Sequence, residues 1–476
     1  MTLERRLAGG VRVNLIANIA TFGAQAAMMA VLARLLHPSE YGVVAAALII
    51  VKPVQQILFN GLEQSAVLQT EMPPRATTTL FWMSAVFAVG GVAILMVIAQ
   101  LLPIPHDLQN ATMGLSFVLL GPALAIAPRV MLRRQMAFGK LAIVETAATI
   151  IGFGAVSIGC ALAGLGAMSL VYGYVGQTLV RAAGCFAYCP GCVDGWVFDF
   201  PAVRPTVSMG ARITSVSLLE IIQAQLPSSF IAAYFGAAPL GQFSQSLSLI
   251  ATPIQLISQS MTKVASTSFR IVRSDVAQLR QSCGSLMATA SAITVPICFG
   301  MAATAGPLVL VVLGPQWAPA SRIAPWLAIG AACRVLAHVL AVMNEAAWRL
   351  NEKFLIQVVT IVATVGAFLF AVHGGLRECA QAYSFASFVY LAGQAILSAR
   401  ILRTGAVEMI GWIVPACVCS ALIYLGVLIL NTVCAVSSPY LQLGLDMAFC
   451  GAILTGLYAI CFPRLRRDFL LLAGFG

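Results

Sequence analysis

Long apolar runs, separated by short polar, Pro-rich or Gly-rich breaks, fill this chain from end to end. A helix that crosses a bilayer needs about 20 mostly apolar residues, and the runs reach that length. The pattern therefore predicts an all-α polytopic membrane protein with about 14 transmembrane helices and no connection long enough to fold as a separate domain. The predicted helices span residues 12 to 35, 42 to 66, 78 to 102, 111 to 131, 141 to 163, 166 to 188, 206 to 234, 239 to 264, 283 to 312, 322 to 345, 354 to 373, 379 to 400, 409 to 430 and 443 to 462.

The composition agrees with a membrane protein and excludes a soluble one. Of the 476 residues, 60% are hydrophobic and only 9% are charged, whereas a soluble domain has about 25% charged residues. The mean hydropathy is +0.94. The net charge of +11 is distributed along the chain in small groups, so we expect no nucleic-acid partner.

The distribution of the 27 Lys and Arg residues predicts the orientation. When the N-terminus is placed in the cytoplasm, most of these residues fall on the cytoplasmic side of the predicted helices. Lys and Arg resist translocation, so this asymmetry predicts that both termini are cytoplasmic. The excess positive charge is then a consequence of topology, and membrane lipids are expected partners.

A short internal repeat predicts two similar halves. The sequence Pro53-Val54-Gln55-Gln56-Ile57 in the second helix recurs as Pro253-Ile254-Gln255-Leu256-Ile257 in the eighth. Six helices separate the two copies, so both halves would have the same orientation. We predict an N-lobe over residues 1–188, a cytoplasmic interfacial linker over 189–205, a C-lobe over 206–403, and two C-terminal helices with a basic tail over 404–476.

Polar residues at helical spacing mark four of the predicted helices. Such residues avoid lipid, so corresponding stripes on the first two helices of each half predict a polar cavity between two pseudo-symmetric six-helix lobes. The alternative is that these residues only join helices by hydrogen bonds. The candidate substrate-binding residues are Asn14, Asn18 and Gln25 on the first helix, Lys52 and Gln56 on the second, Arg212, Glu220 and Gln223 on the seventh, and Gln255 and Gln259 on the eighth.

Two of these residues are cations that suit an anionic ligand. Lys52 lies about ten residues inside its helix, near the membrane midplane, where a charge costs about 2.5–3.5 kcal/mol. Lys52 and Arg212 are therefore candidates to bind a phosphate group. The alternative is an internal ion pair with Glu220 or Glu63 that only joins helices.

A second candidate group lies on the tenth helix. Arg334, His338 and Glu345 have the spacing i, i+4 and i+11. Histidine titrates near neutral pH, so this stripe predicts possible ion coupling. The alternative is that His338 is a buried histidine whose hydrogen bonds are satisfied.

Several catalytic and metal-binding motifs are absent or incomplete. Cys189-Pro190-Gly191-Cys192 has no second cysteine or histidine pair, so we expect no metal. The chain has no P-loop, and its four histidines are isolated in sequence. We therefore expect no cofactor and no catalytic residues. A membrane-embedded glycan-assembly enzyme is the less favoured alternative, because the outer loops are short.

Four motifs resemble a known family of transporters. They are residues 32–42, which read LARLLHPSEYG, the segment from Gly61-Leu62 to Gln69, residues 133–138, which read RRQMAF, and residues 313–320, which read LGPQWAPA. These residues resemble the bacterial polysaccharide flippases of the multidrug/oligosaccharidyl-lipid/polysaccharide superfamily, such as exporters of colanic acid, exopolysaccharide and O-antigen units.

The resemblance implies two six-helix lobes and two extra C-terminal helices. It implies a flippase that moves undecaprenyl-diphosphate-linked oligosaccharides by alternating access across the bacterial inner membrane, and not an enzyme. Expected partners are the lipid-linked substrate, a polysaccharide polymerase and export machinery. A cation-coupled multidrug antiporter of the same superfamily is the alternative, although such a protein needs acidic groups where this chain has Lys52.

Overall fold

The computed structural model describes residues 21–69, 72–272, 275–347, 349–433 and 438–461. Helices dominate these ranges, and no strand occurs within them. The all-α fold class predicted from the sequence is confirmed. The fourteen predicted segments correspond to the helices α1 Thr21–Leu35, α2 Pro38–Leu68, α3 Pro74–Leu101, α4 His106–Arg134, α5 Phe138–Leu162, α6 Ala167–Tyr188, α7 Phe200–Phe235, α8 Ala237–Val272, α9 Val276–Ala303, α10 Ala324–Ala346, α11 Leu350–Ala371, α12 Leu376–Leu402, α13 Ala406–Val433 and α14 Pro439–Cys461.

Many of these helices are long and apolar enough to cross a membrane. Nine helices in the described ranges meet that condition, and α7 is a tenth if its two segments form one span. These segments meet at an angle of 41° between Ser215 and Ser217. The chain is therefore a multi-pass membrane protein, while the number of 14 spans stays a prediction.

Local sequence signals set several helix ends. α2 begins at a proline, and the Glu40 carboxylate accepts a hydrogen bond of 2.7 Å from the His37 backbone N–H. The Asp275 carboxylate caps α9 by accepting from the backbone N–H groups of Ala277 and Gln278. Asp199 caps α7 in the same way, so α7 begins at Phe200, six residues earlier than predicted.

The predicted ninth helix is divided in two. α9 ends at Ala303, and a short helix, Ala305–Val312, follows it. The Thr304 hydroxyl donates to the Gly300 carbonyl oxygen at 2.9 Å. Such side-chain bonds compete with the backbone ladder and are common where helices bend.

The chain forms two units, residues 1–241 and 242–476. The first contains α1 to α7 and the start of α8. The second contains the rest of α8 and α9 to α14. The lobe boundaries predicted from the sequence stay a prediction.

Two apolar clusters form the core of the N-terminal unit. The first joins α1, α2, α3, α4 and α6 around Leu32, Val44, Leu95, Leu115 and Leu170. The second lies near the C-terminal end of α2 and includes Leu62, Leu80, Ile126, Val130 and Val203. All of these side chains are buried.

α2 approaches other helices very closely at both of its ends. A Cβ atom on Gly61 would lie 2.2 Å from the Gly210 carbonyl oxygen of α7. One turn further on, the Ser65 hydroxyl donates to the Thr206 carbonyl oxygen at 2.8 Å. At the opposite end, a Cβ atom on Gly42 would lie 1.7 Å from the Ala237 carbonyl oxygen of α8. Only glycine permits these backbone contacts.

The C-terminal unit has its own core between α9, α10, α12 and α13. Met287, Leu340, Met343, Leu402 and Ala416 are buried in it. Between the short helix and α10, a 3₁₀ segment, Pro315–Arg322, buries the side chain of Trp317 completely. Apolar packing of this kind holds each unit together.

Candidate functional site

Lys52 lies in the middle of α2 with an exposed side chain. At 1.5 Å per residue, it is roughly 20 Å from either end of the helix. No residue in the described ranges forms an ion pair or hydrogen bond with it. Glu63, one predicted alternative partner, contacts Arg129 at 3.2 Å and Arg133 at 3.1 Å instead. Lys52 therefore has no partner among the described residues, and its place in a substrate site stays a prediction.

The helix is irregular directly after Lys52. Pro53 has no N–H group to donate, and a π-helical segment, Gln56–Asn60, follows it. The Gln56 backbone N–H donates to the carbonyl oxygens of Lys52 and Pro53. The Gln56 side chain is exposed, four residues after Lys52. π-Helical turns inside α-helices are common at functional sites.

The first predicted stripe is only partly within the described residues. Gln25 is half-buried on α1. One turn earlier, the hydroxyl groups of Thr21 and Thr146 lie 2.6 Å apart and join α1 to α5. Asn14 and Asn18 lie outside the described residues.

The seventh and eighth helices differ in the exposure of their candidate residues. Arg212 and Glu220 are exposed on α7, and Gln223 is buried. Gln255 is exposed on α8, whereas the Gln259 side chain lies outside the described part of the chain. The assignment of these residues to a substrate site stays a prediction.

The candidate ion-coupling residues on α10 have several partners. The Arg334 guanidinium lies 5.6 Å from the ring centroid of Tyr383, and Glu345 forms an ion pair with Lys353 of α11. His338 is exposed. Arg334 and Glu345 therefore each have a partner among the described residues, which favours a structural role for these two residues. Ion coupling stays a prediction.

Five charged side chains in the N-terminal unit form a network that sequence reasoning missed. Arg129 bridges Glu63 and Glu145 at 3.2 and 3.4 Å, Arg133 contacts Glu63 at 3.1 Å, and Arg181 donates through Nε to Glu145 at 2.9 Å. We call these five residues the charge network. In the sequence pattern, the three arginines indicated only the topology.

A signal for the charge network was nevertheless present in the sequence. Arg129 and Arg133 are four residues apart on α4, and therefore lie on one face of that helix. Glu145 and Arg181 each lie seven residues inside their helices, too deep to be ordinary loop charges. Which cation meets which carboxylate required the tertiary structure.

A second unexpected cluster is buried in the C-terminal unit. The Asn344 amide donates to the Gln394 side-chain oxygen at 2.7 Å, and the Ser398 hydroxyl donates to the Asn344 side-chain oxygen at 3.0 Å. A buried polar stripe on the neighbouring α11 comprises Lys353, Gln357, Thr360 and Thr364. Its spacing of i, i+4, i+7 and i+11 was visible in the sequence.

The cysteine pair after α6 is partly buried. Burial and the neighbouring Cys189 thiol raise the pKa of Cys192 to about 12. The expectation that this pair holds no metal stays a prediction. Within the described ranges, no group of three or more His, Cys, Asp or Glu side chains has the geometry to hold a metal ion.

The segment between α6 and α7 is attached to α3 through backbone contacts. The Trp82 indole N–H donates to the Gly195 carbonyl oxygen at 3.0 Å, and the hydroxyls of Thr78 and Thr79 accept from the backbone N–H groups of Asp194 and Asp199. Three aromatic side chains of this region remain largely exposed: Trp196, Phe198 and Phe200. Exposed aromatic residues are typical of membrane–water interfaces.

Comparison with known proteins finds a family over much of the chain. Residues 31–322 match the family described as polysaccharide biosynthesis protein. The chain is 23% identical over 328 residues to the lipopolysaccharide biosynthesis protein WzxC of Escherichia coli (strain K12), and the match spans 67% of this chain and 65% of that protein. It is 26% identical over 376 residues to the succinoglycan biosynthesis transport protein ExoT of Rhizobium meliloti (strain 1021), with 77% and 74% covered.

Solved structures show the same fold at low identity. The lipid II flippase MurJ in an inward closed conformation has a TM-score of 0.72 and 11% identity, over 96% of this chain and 99% of that chain. An inward-facing multidrug resistance MATE family transporter of the MOP superfamily has a TM-score of 0.54 and 13% identity, over 82% and 95%. At these identities the comparison establishes the fold alone.

Proposed function

Because the chain belongs to the polysaccharide biosynthesis protein family, we propose that it is a flippase for undecaprenyl-diphosphate-linked oligosaccharide repeat units. It moves them from the cytoplasmic to the periplasmic leaflet of the bacterial inner membrane, for the assembly of exopolysaccharide, capsule or O-antigen. The proposal is supported by the transport function in the name of ExoT and by the fold shared with a lipid II flippase.

The observation that carries this proposal is Lys52, which lies at the middle of a membrane-spanning helix, is exposed and has no partner among the described residues. A cation at this depth is costly when it faces lipid, and is retained when it meets water or an anionic group. A diphosphate supplies such a group, because an ammonium ion binds phosphate oxygens through charge-assisted hydrogen bonds. The exposed Gln56 amide, one turn away, adds donors suited to sugar hydroxyls or phosphate.

The close contacts of α2 support alternating access. One end of α2 meets α7 at Gly61, the other meets α8 at Gly42, and Lys52 lies between the two contacts. In the proposed cycle these contacts open in turn, so that Lys52 is reached from one side at a time. Glycine contacts suit this motion, because they have few interlocking side chains to separate.

A cation-coupled multidrug antiporter is less well supported. Such a protein needs a carboxylate to bind its cationic drug. On α2, the carboxylate of Glu63 already contacts two arginines, whereas Lys52 has no partner among the described residues. The arrangement favours an anionic substrate.

The test is genetic complementation in the host. A strain that lacks the gene should lose surface polysaccharide and accumulate lipid-linked repeat units in the cytoplasmic leaflet. At equal protein abundance, Lys52→Ala should lower polymer export about tenfold, since a charged hydrogen bond contributes roughly 1.5–3 kcal/mol. Lys52→Arg, which keeps the charge, should restore much of the export.

A matched control is Lys140→Ala, because Lys140 is exposed at the start of α5 and its charge lies over the ring of Tyr188, 5.6 Å away, with no ion pair among the described residues. This variant should export normally. Normal polymer in the deletion strain, together with altered resistance to cationic drugs, would replace the flippase proposal with the antiporter. Normal export by Lys52→Ala would remove Lys52 from the substrate site.

A further inference from the structure

The charge network joins four helices of the N-terminal unit and carries excess positive charge. Among the described residues, its three guanidinium groups, from Arg129, Arg133 and Arg181, form ion pairs with the carboxylates of Glu63 and Glu145. The proposed function assigns no role to these residues. The network has three positive charges and two negative ones, so one positive charge is not neutralised within it.

The charge network lies near one end of its helices and is partly exposed. Glu63 lies five residues before the end of α2, and Arg181 lies seven residues before the end of α6, which places both roughly 7–10 Å from those helix ends. Long cationic side chains at this position reach water or lipid headgroups. The Arg133 and Glu145 side chains are 35% and 36% exposed. Part of the network is therefore accessible to an anionic group from water or from the headgroup region.

Two arginines of the charge network have N–H donors that form no hydrogen bond with the described residues. A guanidinium group has five N–H donors in a planar fork. Arg181 hydrogen-bonds to Glu145 through Nε, and its two terminal nitrogens have no partner among the described residues. Arg133 makes one ion contact, through Nη1. Terminal guanidinium nitrogens bind phosphate oxygens in pairs.

We propose that Arg129, Arg133 and Arg181 form a binding site for a phosphate or diphosphate group. Glu63 and Glu145 hold the guanidinium groups in place, and the Glu145 carboxylate competes with the anion for Arg181. The inference rests on the proposed function only in naming the lipid-linked diphosphate as one source of this group. A phospholipid headgroup is the other source.

The position of the site suggests its role. With the N-terminus in the cytoplasm, as the positive charges predict, the network lies on the cytoplasmic side. Glu63 and Lys52 are eleven residues apart on α2, roughly 16 Å. The charge network therefore binds the anionic group first, and the group then moves on to Lys52.

The experiment measures binding of inorganic pyrophosphate to the purified full chain in phosphatidylcholine nanodiscs by isothermal titration. Arg181→Gln and Arg133→Gln should each weaken binding about tenfold, since each removes charge-assisted hydrogen bonds. Arg349→Gln is the matched control, because Arg349 is an exposed arginine paired with a single carboxylate, that of Glu352. This control should bind pyrophosphate like the wild type.

Two further variants separate binding from folding. Glu145→Gln removes the competing charge and should tighten pyrophosphate binding roughly threefold, an effect that misfolding does not produce. Arg181→Lys keeps the charge without the planar fork, and should fall between the wild type and Arg181→Gln. It replaces Arg181→Gln if that variant does not fold.

The source of the anion is tested in nanodiscs that contain phosphatidylglycerol. If a lipid headgroup competes for the site, the wild type should bind pyrophosphate more weakly in these discs than in phosphatidylcholine discs. Arg181→Gln should then show no such difference. Equal binding in both discs favours the diphosphate of the transported substrate. Either result retains the site.

Three results would overturn the proposal: no pyrophosphate binding by the wild type, equal binding by the Arg133 and Arg181 variants, or an equal loss in Arg349→Gln. Weaker binding by Glu145→Gln would also overturn it, because the network would then be only a scaffold. The titration does not depend on flipping. If export proves normal without the gene while Arg181→Gln still weakens binding, the proposed function fails and the site stands.

Discussion

At the scale of single residues, buried polar side chains join helices of the C-terminal unit. Asn344 of α10 bonds to Gln394 and Ser398 of α12, and all three residues are fully buried. Hydrogen bonds between membrane helices contribute roughly 0.6–2 kcal/mol each. A buried polar group that loses its partner costs more than the bond contributed, because it has no water to replace that partner.

Asn344→Ala is therefore expected to destabilise the protein by about 1–3 kcal/mol, because it leaves the Gln394 and Ser398 side chains without a partner. Thermal unfolding of the purified protein in detergent measures this as a lower midpoint. Asn110→Ala is the control, because Asn110 is exposed near the start of α4, and its midpoint should match the wild type. Equal midpoints for both variants would show that the cluster does not contribute to stability.

At the scale of the element, α2 combines close glycine contacts with an irregular backbone and a charged residue. It has glycine contacts at both ends, a proline with a π-helical turn in its middle, and Lys52 between them. Proline and π-turns interrupt the regular backbone ladder and allow a helix to bend. α2 can therefore bend between its two glycine contacts, as the proposed alternating access requires.

Gly61→Val tests the contact between α2 and α7. The new side chain would begin 2.2 Å from the Gly210 carbonyl oxygen, so the helices must separate, at a cost of about 1–3 kcal/mol. The expected results are a lower thermal midpoint and less export. Gly90→Val in α3 is matched in helix propensity, and its Cβ atom meets no atom within 4 Å. If both variants unfold at the same temperature, the contact is not tight in the membrane.

At the scale of the whole molecule, the position in the membrane follows from the hydrophobic helices and from the exposed aromatic residues near their ends. Trp196 is 84% exposed and stacks on Trp82 of α3, with ring centroids 3.8 Å apart. Phe198 and Phe200 are also exposed. Such a surface is unfavourable in water and favourable among lipid headgroups, where aromatic rings are enriched. This supports the interfacial location predicted for the linker.

Fluorescence quenching by brominated phosphatidylcholine tests this location. If Trp196 lies at the headgroup boundary, brominated lipid should quench part of the wild-type emission, and Trp196→Phe should lose that part. The Trp317 side chain is fully buried, so Trp317→Phe should leave the quenched fraction nearly unchanged. An unchanged quenched fraction in Trp196→Phe would place the linker in water.

Local sequence patterns were enough to predict most helices and the fold class. The predicted second helix, 42 to 66, lies within α2, Pro38–Leu68, and the predicted third, 78 to 102, nearly coincides with α3, Pro74–Leu101. Helix positions can be predicted in this way because length, apolar content and caps are local properties of the sequence. The bilayer also requires each spanning segment to satisfy its own backbone hydrogen bonds. The family resemblance was also readable, since its motifs are continuous stretches of sequence.

The contacts between side chains of different helices could not be predicted from the sequence. The depth of Lys52 in its helix was enough to identify it as a candidate. However, Glu63 contacts Arg129 and Arg133 and not Lys52, and this depends on how α2 packs against α4. Glu145 and Arg181 are 36 residues apart, and Asn344 and Gln394 are 50 apart. A helical pattern shows which residues share a face of one helix, whereas an ion pair or hydrogen bond between helices depends on their relative position and rotation, which no local pattern contains.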